Sequence, residues 1–152
     1  MNQSIFLNRR MVILFSSLLM LAGCGEKQIS AVSSCSIDSV NNSGNLIVPV
    51  NLNSVVQVAG WALDGWSKQA PDSISINLIS SNGNVSKLAE GKATVARPDV
   101  SAVHNAPSIT NAGFGFSAKI EPQVAGIYEL QILQYFPGRI LVCKSNKNIK
   151  IE

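Results

Sequence analysis

The chain of 152 residues is poor in the groups that do chemistry: it has one histidine, three cysteines and nine acidic residues. With His104 alone, a Ser-His-Asp or Cys-His site has no choice of base. No Gly-x-Ser-x-Gly stretch supplies a nucleophile elbow. Without a second histidine or a cysteine cluster, metal-ligand spacing is missing. No glycine-rich loop runs into Lys-Ser/Thr, so a phosphate cradle is missing too. The carboxylates Asp64, Asp72, Glu90, Asp99 and Glu121 are scattered, and a glycosidase pair would have to be assembled in three dimensions. These absences predict a protein that is not an enzyme and that needs no cofactor or metal.

Charge excludes a further class. The formal net charge of +3 owes two units to Arg9 and Arg10; without them the twelve basic residues become ten, against nine acidic. A body so close to neutral has no basic stripe for nucleic acid. Long apolar runs are also lacking. Met11 to Ala22 is the longest, at about 12 residues, short of the ~20 that a transmembrane helix needs.

What is present begins with that run. Basic residues precede it and small ones follow, which is the layout of a secretory signal. It ends in Leu21-Ala22-Gly23-Cys24. These four residues resemble the lipobox of bacterial lipoproteins. The resemblance implies a signal peptide over residues 1–23, a diacylglyceryl group on the Cys24 sulfur and cleavage just before Cys24. A thiolate is the nucleophile for such an alkylation, and small neighbours leave the backbone accessible. Gly25, in place of the Asp that retains enteric lipoproteins at the inner membrane, implies an outer-membrane address facing the periplasm. With Cys24 spent on lipid, Cys35 and Cys143 are predicted to pair in an oxidising compartment; the alternative is two separate buried thiols. Residues 24–34 are polar and small, and read as a lipidated tether to a domain over 35–152.

That domain reads as strands: LIVPV (46–50), VVQVAGWALD (55–64), SISINLIS (73–80), GFGFSAKI (113–120), IYELQILQY (127–135), RILVCK (139–144) and NIKIE (148–152). The apolar run 55–64 reads as a central strand buried on both faces. Asn82-Gly83 marks a hairpin, and Pro137-Gly138 a second turn. PDVSAVH (98–104) is the one helical candidate, which Asp99 would cap. Short strands separated by Gly, Pro, Asn and Ser predict an all-β, immunoglobulin-like antiparallel sandwich with one short helix. VAGWALDG, ARPDVSAVHNAPSITNAGFGF, GIYELQIL and the late cysteine resemble, in that order, a β-rich bacterial module found partly in cell-surface glycan biology. That resemblance supports one domain and implies no catalytic residues.

Trp61, Asp64 and Trp66 are the candidate ligand-binding residues. An indole beside a carboxylate suits a sugar ring, the first covering its apolar face and the second accepting from its hydroxyls. Against this, alternation puts Trp61 among packing residues, and a buried strand tryptophan is common in sandwiches. Arg97 and Asp99 read either as a charged-ligand site or as a local arrangement about the helix. Two functions follow: a lipid-anchored structural or protein-interaction module of the cell envelope, or one that binds an envelope glycan or exopolysaccharide.

Overall fold

The computed structural model describes residues 28–31, 34–107, 109–121 and 124–152. Cys24 and the stretch 1–23 expected to be a signal peptide lie outside them. Nine strands and one helix follow in order: β1 (Gln28–Ala31), β2 (Cys35–Val40), β3 (Ile47–Val50), β4 (Val55–Ala62), β5 (Ser73–Ser80), β6 (Val85–Gly91), α1 (Pro98–Val103), β7 (Gly113–Lys119), β8 (Gly126–Phe136) and β9 (Arg139–Ile151). The fold is the expected all-β, immunoglobulin-like sandwich with one short helix. One sheet has the order β1-β9-β8-β5-β6, with β3 also on β9; the other is β2-β4-β7.

Alternation explains the layers. Ile74 and Ile76 of β5, Leu130 and Ile132 of β8 and Ile149 and Ile151 of β9 point inward from the large sheet. Val56, Val58 and Phe114 meet them from the small one. The disulfide Cys35–Cys143 joins the two sheets, with Cα atoms 6.3 Å apart, inside the usual range for a bridge. Gly60 in β4 leaves room within the small sheet, between β2 and the Phe114 ring of β7. A Cβ there would collide with the Ser36 carbonyl oxygen and lie 2.9 Å from Phe114 Cζ.

Three expectations need correction. The 55–64 run is not buried on both faces: Val55, Gln57 and Ala59 are exposed while Val56, Val58 and Gly60 are buried. The reason is that a three-stranded sheet has no second layer over most of its outer face. The sandwich is not wholly antiparallel, because β1 and β3 both run parallel to β9. The hairpin that Asn82-Gly83 marks is present, closed by a loop in which Gly83 takes the left-handed backbone (φ 84°) and donates to the Ser80 carbonyl. Finally, the fold starts before Cys35, inside the stretch 24–34 that was expected to be a tether. Gln28–Ala31 pairs with Arg139–Val142, because the upper edge of β9 presents backbone groups that an added strand satisfies.

Candidate functional site

The most built region lies at one end of the sandwich, where β4 ends, β5, β7 and β9 begin, and α1 crosses. Its centre is Asp64, 2% exposed. Asp64 Oδ1 accepts the Trp66 N–H at 2.8 Å, and Oδ2 accepts the Ser67 hydroxyl at 2.6 Å. The Arg139 guanidinium also donates to Oδ2, while lying over the Phe136 ring at 5.1 Å. Main-chain bonds close the turn: Lys68 donates to the Asp64 carbonyl and Asp64 to that of Gln69, each at 2.9 Å. Burial alone pushes the Asp64 carboxyl up. The Ser67 hydroxyl, the N–H groups of Trp66 and Ser67 and the Arg139 charge outweigh it, and the carboxyl sits below its ordinary value.

This arrangement corrects the sequence reading of Asp64. Its oxygens are occupied in holding a turn and do not face solvent as acceptors for a ligand. Trp66 is the opposite case: it is 92% exposed, on a turn that Asp64 fixes. Trp61 is half-buried, packed beside Leu63, Val100, Ile109 and Ala112. Its ring lies 5.1 Å from that of His104. The three candidates therefore do not form one surface. Trp61 is a packing residue for the α1 segment, Asp64 is a turn-forming residue, and Trp66 alone is displayed.

Arg97 and Asp99 form a local arrangement, but through carboxylates and not through a helix cap. Arg97 makes two bonds to Asp99, at 2.9 and 2.7 Å, and a third to Asp38 of β2 at 2.6 Å. Asp99 is no cap. The N-cap position is Arg97, without a side-chain cap bond. The two-pronged bond from Arg97 lowers the Asp99 carboxyl to about 2. All three charges are used within the chain, pinning the lead-in to α1 onto the small sheet.

Sequence reasoning missed Arg139 and the groove beside α1. Arg139 is 75 residues from Asp64, and no local pattern links them. The groove is open and apolar, about 810 Å³, with walls that include Ala96, Pro98, Ala102, Pro107 and Ile109. A more polar hollow of about 500 Å³ adjoins it through Ile109 and Thr110 and reaches Lys68, Asp72 and Pro137. Among the described residues, no three His, Cys, Asp or Glu side chains gather as a metal site. No helix among them is long and apolar enough to cross a membrane.

No protein-family model and no curated protein matches the chain. Among solved structures it is similar to an AA10 lytic polysaccharide monooxygenase from Streptomyces lividans, at 7% identity and a TM-score of 0.43. The match covers 72% of this chain and 62% of that one, so the chain spans less than two thirds of that structure. That neighbour is an enzyme, and the exclusion of enzyme activity drawn from composition is corrected: it no longer stands. At this identity and TM-score, the likeness gives no residue of this chain a chemical role.

Proposed function

We propose that the chain is an exported lipoprotein of the bacterial envelope, acylated on Cys24, whose sandwich docks another envelope protein. The periplasmic side of the outer membrane is the proposed location. The observation that carries the docking role is the apolar groove beside α1. A concave apolar surface of that size suits the side chains of a partner segment. The disulfide suits the oxidising side of a membrane.

A photo-reactive residue in place of Ala102, in the full lipidated chain in living cells, tests this reading. A discrete cross-linked protein, lost when Ala96 is enlarged to fill the groove, is the expected result. Cross-linking confined to lipid, or none at all, would sink it.

One observation favours a second reading, an envelope glycan ligand: Trp66 is displayed to solvent. The occupied Asp64 oxygens remove the acceptor that would take sugar hydroxyls beside it. A saturable change in Trp66 fluorescence on adding peptidoglycan fragments or exported polysaccharide, abolished in Trp66→Ala, would put this reading first.

A further inference from the structure

We infer that the Trp66 end of the sandwich lies against the bilayer, with the indole in the headgroup region and the edge of the large sheet beside it. The inference rests on the reading of Cys24 as the lipid site and adds an orientation that this reading does not contain. Three residues separate Cys24 from Gln28, where β1 begins. Cys24 to Gln28 spans four Cα–Cα steps, at most ~14 Å. The first residue of the folded domain is therefore held close to the membrane surface.

Gln28 has a defined place. It pairs with Arg139, one strand spacing away, ~4.8 Å. The Arg139 guanidinium binds the Asp64 carboxylate, which in turn holds the Trp66 N–H. A short series of contacts thus leads from the end of the tether to the most exposed aromatic of the described chain. Tryptophan suits the boundary between headgroups and acyl chains, because its ring is apolar and its N–H polar. The turn that carries it is fixed by a buried carboxylate, so the indole is presented without ordering a loop.

The sheet edge agrees. Ile29 is 68% exposed. It pairs with Ile140, which pairs with Tyr135, so the three lie side by side on the face away from the core. Ile140 and Tyr135 are only half-buried. Leu133 and Val142, paired one row further on, continue the same apolar face. Sheet faces turned to water normally carry polar residues at these places. Here the apolar rows begin one residue from the tether. Lys68, in the Trp66 turn, adds a cation for acidic headgroups. A bilayer is the occupant that the tether length selects for this face.

The test uses the full chain, purified with its lipid from a bacterium and reconstituted into phosphatidylethanolamine/phosphatidylglycerol vesicles. Mass spectrometry of the N-terminal peptide first establishes whether Cys24 carries acyl chains; an unmodified Cys24 would refute the anchor itself and this orientation with it. For the acylated protein, vesicles with acyl chains brominated near the headgroups report depth. Subtracting the emission of the Trp66→Phe variant isolates Trp66, and that variant retains Trp61 as the internal control. The expected result is a blue shift and loss of most Trp66 emission in brominated vesicles, with Trp61 emission unchanged. Vesicle-bound, acylated protein whose Trp66 emits as in water and is not quenched would overturn the orientation while leaving the anchor intact. The same negative result in vesicles, with Trp66 shielded in native membranes, would assign the face to a protein partner and also overturn it.

Discussion

Asp64→Ala is expected to destabilise the domain by about 3 kcal/mol. The carboxylate accepts from the Trp66 N–H, the Ser67 hydroxyl and Arg139. A hydrogen bond to a charged group contributes ~1.5–3 kcal/mol, and breaking a buried ion pair by removing one partner costs ~3–5 kcal/mol. The lower part of that range applies, because the Arg139 side chain is 38% exposed and regains water when its partner goes. In urea, where a small domain loses ~1–3 kcal/mol per molar, the midpoint should fall by about 1–3 M. Asp64→Asn keeps the shape and loses the charge, so its loss should be roughly half as large. A double-mutant cycle with Arg139→Ala should give a coupling of ~1–2 kcal/mol. The sign with pH follows from the lowered carboxyl. Its stabilisation is fully present above the ordinary value of 3.8 and disappears as pH falls through the lower folded value. The advantage of the wild type over Asp64→Ala should therefore be constant from neutral pH down to about 5 and shrink below 3.8. Urea melts followed by circular dichroism across that range are the assay. A midpoint for Asp64→Ala within experimental error of the wild type at neutral pH would refute the reading of Asp64 as the centre of this turn.

Two further outcomes are expected. Gly60→Ala forces a methyl into the Ser36 carbonyl and the Phe114 ring; overpacking of this kind costs ~1–3 kcal/mol or more, visible as a lower urea midpoint at unchanged slope. Replacing Cys35 and Cys143 by alanine opens a bridge with a sequence separation of 108. On the chain-entropy model this removes ~4–5 kcal/mol, and a loss under ~1 kcal/mol in reversible denaturation would contradict that model here.

The fold was legible wherever a strand has one wet face. SISINLIS and GIYELQIL carry the period of two, and Ile74, Ile76, Leu78, Leu130 and Ile132 lie inside as that period requires. The bridge was legible because reading Cys24 as a lipid site leaves only two cysteines to pair. The two-faced reading of 55–64 failed because Val55 and Ala59 are apolar yet uncovered, and apolarity alone does not reveal whether a second layer exists. QISA was missed because four residues with one isoleucine carry no period. What makes them a strand is the free edge of β9, more than 100 residues away. The site was less legible than the fold. Trp61, Asp64 and Trp66 are close in sequence, but the turn at Asp64 sends their side chains to separate tasks. Arg139, the partner that explains Asp64, comes from a distant hairpin.

The placement of β9 fixes the order in which the molecule can be finished. Its first four residues pair with β1 and its last four with β3, both on one edge, while β8 takes the other. A chain made from its N-terminus therefore produces β1 and β3 long before either has a partner. No local hairpin can shelter them in the meantime, since both pairings are parallel and long-range. Contacts of such high sequence separation form slowly. The six-stranded sheet closes only once the last strand has arrived, so a nascent chain lacking residues 139–151 stays open along that edge. The first strand and the last lock together in the same late event, and both ends of the six-stranded sheet's shared edge are completed at once.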